Sequence, residues 1–126
     1  MRRAVPTLAL AAMLGGCATH APSLSTMLEQ PAERALLAGM RAYDDAQYPT
    51  AEADLQRALA SGLKHPHDQA LAHKLTAFIQ CSTQRVAQCE QSFVAARKAN
   101  PRLALNKAEI GNPLWGPVYK RTITTP

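Results

Sequence analysis

The feature that most constrains the fold is a self-similarity at a spacing of 38 residues. Advanced by that distance, Gly39 falls on Ala77, Tyr48 on Val86, Ala51 on Cys89, Leu55 on Phe93 and Ala58 on Ala96. Small residues meet small ones, and large apolar residues meet large ones. A period in the range of roughly 20–50 residues marks one supersecondary unit used more than once. Such units cannot bury an apolar face alone and stack to form a shared core.

Each unit reads as two helices. Between Pro31 and Ala46, Ala35, Leu36, Gly39, Met40, Ala42 and Tyr43 recur at intervals of three and four, one face of a helix. Pro31 suits a first turn, where its missing N–H costs no helical bond. A loop at Gln47-Tyr48-Pro49 follows. A second helix is predicted over Thr50–Ser61, with Ala51, Leu55, Ala58 and Leu59 inward and Gly62 as its stop. A third is predicted from about Gln69 to Cys81 with Asp68 as N-cap, burying Leu71, Leu75, Phe78 and Ile79. A fourth runs from about Ala87 to Ala99 until Asn100-Pro101, burying Cys89, Phe93 and Ala96. Period-two alternation is missing, so the predicted fold class is all-α.

This arrangement resembles the tetratricopeptide repeat, a helical hairpin of roughly 34 residues. Leu36, Gly39, Tyr43, Tyr48, Ala51, Leu55 and Ala58 follow its order of large and small positions. Ala35 replaces the aromatic residue usual early in the repeat, and Cys89 takes the place of a small alanine in the second copy. Pro101 sits where the repeat usually ends in proline. The extra length fits a longer connection over Gly62-Leu63-Lys64-His65-Pro66-His67. The resemblance implies two tetratricopeptide-like hairpins with a C-terminal capping segment, over 31–119, before a tail at 120–126. An unrelated four-helix bundle is the alternative.

The N-terminal end carries a different message. Arg2 and Arg3 precede a short uncharged run, Leu8 to Leu14. A bilayer needs about 20 apolar residues, so this run is too short to span one. A basic start, a short apolar stretch and small residues before a cut site mark a secretory signal. Leu14-Gly15-Gly16-Cys17 resembles the lipobox of bacterial lipoprotein precursors. The expected signal is 1–16, with lipidation at Cys17, although Pro6 is unusual in such a segment. The alternative is an ordinary secretory signal with an incidental cysteine. Residues 17–30 are rich in Ser, Thr, Ala and Pro and read as a flexible tether. Ala18 follows the cysteine in place of the Asp that favours inner-membrane retention, so the expected location is the periplasmic face of the outer membrane.

Removing 16 of 126 residues leaves one small domain, and the formal charge falls from +5 to +3 as Arg2 and Arg3 leave. That is weak support for a nucleic-acid partner, and none is expected.

With Cys17 lipidated, Cys81 and Cys89 remain, an even number in an oxidising compartment. Adjacent antiparallel helices bring such positions within bridging range. A disulfide is expected, the alternative being two buried thiols. His65, His67 and His73 lack a carboxylate or thiol at zinc spacing and read as solvated. No metal and no cofactor is expected. Asn106 and Glu109 resemble a capping box with Asn in place of Ser or Thr. Beyond them, Trp115 either folds back as a cap or is an exposed anchor for a partner. Arg41, Tyr43, Tyr48 and Lys74 are further candidates to line or flank a partner-binding groove between the hairpins. The chain lacks a Gly-x-Ser-x-Gly elbow, a phosphate loop and a His-Glu-x-x-His pair. Adjacent Asp44 and Asp45 point in different directions on a helix. An enzyme is not expected.

Several features together resemble the TssQ family of lipoproteins associated with the bacterial type VI secretion system. They are the lipobox, the hairpin from Leu37-Ala38-Gly39 to Leu63, the segment His73 to Cys81, Gln88-Cys89, and the tail Asn112-Pro113-Leu114-Trp115-Gly116-Pro117-Val118. The similarity covers roughly residues 31–119. It implies an accessory part of a contact-dependent injection machine, with protein components of that machine as partners. A pilotin-like envelope-assembly lipoprotein is the alternative.

Overall fold

The computed structural model describes residues 30–124, and within them the protein is all-α. Residues 1–29, which hold the expected signal, Cys17 and nearly all of the expected tether, lie outside the described residues, as do 125 and 126. Six helices follow in order: α1 (Pro31–Asp44), α2 (Tyr48–Ala60), α3 (Pro66–Ser82), α4 (Val86–Ala99), α5 (Lys107–Ile110) and α6 (Gly116–Thr124). The first four form two hairpins, α1–α2 and α3–α4. The second stacks on the first through α3 against α2 and α1, and α6 lies on α4.

The 38-residue period is visible in the backbone. In the first turn, Ala46 N–H donates to the Tyr43 carbonyl at 3.0 Å and Gln47 N–H to that of Ala42 at 2.8 Å. In the second, Gln84 N–H donates to Cys81 at 3.2 Å and Arg85 N–H to Gln80 at 2.8 Å. The paired bonds are a Schellman closure, which needs one left-handed residue. Ala46 has φ 58° and Gln84 φ 63°, so neither turn uses the glycine that would adopt this conformation freely.

Packing follows the small-against-large pattern. A Cβ added to Gly39 would lie 2.8 Å from Leu55 Cγ, so α1 and α2 approach through a missing side chain. In the second hairpin, Ala77 and Phe93 take these places and are both fully buried. Leu55, Ile79, Cys89 and Phe93 are the largest fully buried side chains. Full burial contributes about 1.5–3 kcal/mol for a side chain such as Leu55, Ile79 or Phe93.

Several predicted boundaries shift. α1 ends at Asp44 rather than Ala46, because Ala46 is the left-handed stop. α2 begins at Tyr48, with Pro49 inside its first turn where the absent N–H is harmless. α3 begins at Pro66, not Gln69, and its N-cap is His65, not Asp68. The Asp68 N–H already donates to the His65 carbonyl at 3.0 Å, so Asp68 sits inside the first turn. α6 was not anticipated. It carries the chain past the expected boundary at Tyr119 and buries Val118, Tyr119 and Thr122.

Candidate partner-binding surface

One residue organises the C-terminal segment in three ways, and one of the three ties it to the second hairpin. Glu109 Oε2 accepts from the Asn106 N–H at 2.9 Å, while the Asn106 side chain accepts from the Glu109 N–H, also at 2.9 Å. This is the expected capping box, and it forms α5. Glu109 Oε1 accepts from Lys74 Nζ at 2.8 Å. The Glu109 backbone carbonyl accepts from the Trp115 indole Nε1 at 2.8 Å. Lys74 Nζ also stands 5.6 Å from the centroid of the Phe78 ring.

Trp115 folds back. Its rings stack on Phe78 with centroids 4.4 Å apart and planes 21° apart. Phe78 meets Phe93 edge-on, and Phe93 meets Tyr119 edge-on at 5.3 Å. The Tyr119 hydroxyl donates to the Leu103 carbonyl at 3.2 Å. A row of four aromatic rings therefore runs from the C-terminal segment into the core of the second hairpin and out again to α6. Gly116 permits the return: an added Cβ would overlap the Ile110 carbonyl oxygen.

Tyr43 and Tyr48 face each other across the first turn, with ring centroids 5.8 Å apart and planes tilted by 47°. Both are half-buried against the core. Burial raises the Tyr43 pKa above its ordinary value, and negative charge at Tyr48, Glu109 and Asp44 adds to the shift. Four of the five predicted partner-binding residues, Tyr43, Tyr48, Lys74 and Trp115, are thus tied into the contacts of the first turn and the C-terminal segment. Arg41, two residues from Tyr43, is exposed on another side of α1. The predicted groove carries less free charge than the sequence suggests, because Lys74 is only 16% exposed and held by Glu109.

Cys81 and Cys89 are joined, with sulfurs 2.04 Å apart and Cα atoms 5.3 Å apart. Their equivalents one period earlier are Tyr43 and Ala51, so a covalent bond in the second hairpin stands where side-chain packing serves the first. Among the histidines, His73 departs from the solvated reading. It lies within α3, half-buried, and burial holds its pKa below the ordinary value. His67 is exposed and touches Asp68 at 3.1 Å.

A polar relay that sequence reasoning missed crosses the hairpins. Arg85 grips Glu52 through two hydrogen bonds, Nη1 to Oε1 at 3.0 Å and Nη2 to Oε2 at 2.7 Å. The Gln80 amide donates to Glu52 Oε1 at 3.3 Å, and the Ser92 hydroxyl donates to Gln80 Oε1 at 2.7 Å. One period on from Glu52 stands Glu90, which pairs with Arg121 of α6 at 3.2 Å.

Among the described residues no helix is long and apolar enough to cross a membrane. Compared with protein-family models, curated protein sequences and solved structures, the chain matches none.

Proposed function

We propose that this chain is a lipid-anchored periplasmic adaptor of a type VI secretion system, and that it binds partner proteins through the surface of a short tetratricopeptide-like array. The observation that carries the reading is the recurrence of one hairpin, turn for turn, at the same 38-residue spacing in sequence and backbone. Repeated hairpins of this kind present extended binding surfaces, which suits an adaptor. The Cys81–Cys89 disulfide favours an oxidising compartment, in keeping with the periplasm. The sequence Leu14-Gly15-Gly16-Cys17 supports attachment through an acyl group on Cys17, on the periplasmic face of the outer membrane. The resemblance to the TssQ family supports the link to secretion.

Crosslinking in intact cells, followed by identification of the captured protein, tests the partner. Recovery of type VI components supports the proposal, whereas recovery of an outer-membrane ring subunit favours a pilotin-like role. Mass analysis of the mature N-terminus and membrane fractionation test the anchor. A protein that starts elsewhere than Cys17, or is soluble in the periplasm, overturns that part.

A further inference from the structure

The chain between α4 and α6 is pinned at both ends and unburied between them. Leu105 sits in the core cluster at one end, and Val118 and Tyr119 of α6 do so at the other. None of residues 106–115 is buried. The backbone of α5 packs against α6 alone among the helices. The hairpins therefore hold this strap through side chains: Lys74 bonded to Glu109 at 2.8 Å, Phe78 under Trp115, and Ile110 against the core. The indole hydrogen bond of Trp115 returns to the strap itself, at the Glu109 carbonyl.

The strap covers a face that the first hairpin leaves partly open. Met40 stands one period before Phe78 and is only partly buried, whereas Phe78 beneath Trp115 is 3% exposed. Glu109 is also felt on α1, since its charge is among those that raise the Tyr43 pKa. The strap brings two groups to this face, a carboxylate for the Lys74 ammonium and a flat ring for Phe78. The two subsites adjoin, with Lys74 Nζ 5.6 Å from the Phe78 centroid. A ligand that fills both must therefore hold its acid beside its ring, as the Trp115–Glu109 hydrogen bond makes the strap do.

We propose that residues 106–115 are a built-in ligand of the α3 face, and that once they lift, the same face takes a partner protein's turn presenting a carboxylate beside a tryptophan-sized ring. The chemistry of the occupant is read from the strap that fills its place. Tethered at both ends, the strap competes at an effective concentration on the order of millimolar. The closed chain therefore binds such a turn with an affinity reduced by the fraction of molecules that are open. The inference deepens the adaptor reading by naming its site, and rests on that reading for there being a partner.

The test uses residues 17–126 with Cys17→Ser, which keeps every described residue. In an opened variant, Glu109→Lys sets a cation against Lys74 and Trp115→Ala removes the ring. The probe is a fluorescent peptide of residues 104–116. It is expected to bind the opened variant saturably and one to one, and the parent chain at least about tenfold more weakly. A probe with Trp115→Ala is expected to lose at least about tenfold on the opened variant. Adding Lys74→Glu to that variant should abolish binding of the original probe and restore binding of one carrying Glu109→Lys. Trp115 is the only tryptophan in the chain, so acrylamide quenching of its fluorescence reads the strap directly. Glu109→Lys alone should raise that quenching and retain a cooperative melt. Equal binding to the parent and opened chains, binding to neither, or loss of the cooperative melt in Glu109→Lys overturns the inference, the last by making the segment part of the core. None of these outcomes bears on which protein is captured by crosslinking in cells, which tests the adaptor reading separately.

Discussion

Glu52 and Arg85, 33 residues apart in the chain, are joined by two parallel hydrogen bonds at the seam between the hairpins. Glu52 is 14% exposed and Arg85 37%, so the acid is the more enclosed partner. Arg85→Ala leaves Glu52 with only the longer bond from Gln80. We expect a loss of about 1 kcal/mol, set by hydrogen bonding to a charged group and discounted for solvent screening. A double-mutant cycle with Glu52→Gln, followed by chemical denaturation, should return a favourable coupling. Additive single effects would show that the pair does not join the hairpins energetically.

Gly39→Ala sets two effects against each other. Alanine is the better helix former by about 1 kcal/mol, yet its methyl would meet Leu55 Cγ at 2.8 Å and Leu55 N at 3.1 Å. The side-chain root and the backbone have little freedom to retreat, so overpacking wins and costs about 1–3 kcal/mol. The denaturation midpoint should fall, and an unchanged or raised midpoint would show that the helices can part cheaply.

The two left-handed turn residues predict gains. Ala46→Gly and Gln84→Gly should each stabilise by about 0.5–1 kcal/mol, because glycine adopts that backbone without the Cβ penalty. The sites lie in separate turns, so the gains should add in the double variant. Melting temperatures of the three variants check this directly.

The disulfide closes a short loop, with a sequence separation of 8. The chain-entropy estimate gives about 2–3 kcal/mol of stability for such a loop. Cys89→Ala, which copies Ala51 of the first hairpin, should lose about that much. Adding reductant to the wild-type protein should reproduce the loss, and should leave the variant unaffected.

His73 predicts a dependence on pH. Burial lowers its folded pKa below the ordinary 6.5, so the folded state favours the neutral ring. Its contribution is fully present above pH 6.5 and is lost as pH falls through the folded value. Relative to His73→Gln, the wild-type protein should therefore lose stability on acidification below that point. An imidazole resonance that titrates at or above 6.5 would contradict the geometry.

Both hairpins were legible in the sequence because their contacts are local: small and large residues at helical spacing, with stops at each turn. The Asn106–Glu109 capping box was legible for the same reason, since both partners lie within one turn. α6 was not. Gly116-Pro117-Val118 and Thr122-Ile123-Thr124 carry poor helix formers, and the helix depends on Tyr119 meeting Phe93 and on Thr122, whose carbonyl accepts from Arg97. The start of α3 was misjudged because Asp68 resembles a cap, whereas Pro66 fills the first helical position. Of the predicted partner-binding residues, sequence named Lys74 and Trp115 but could not show that Glu109 and Phe78 already occupy them. Such pairings are set by how distant elements dock.

The unequal closure of the two turns has a mechanical meaning. A pull applied at Gln30 enters α1, whose turn to α2 is held by hydrogen bonds and side-chain packing, including the Tyr43–Tyr48 contact, with no covalent bond across it. The next turn is spanned by a covalent bond. Under load the first hairpin should peel away while the second resists, and the loop between Cys81 and Cys89 cannot pay out its length. Eight residues of extended chain, about 28 Å, stay hidden until the disulfide is reduced. Stretched between its two ends, the domain would act as a spring in series with a stop.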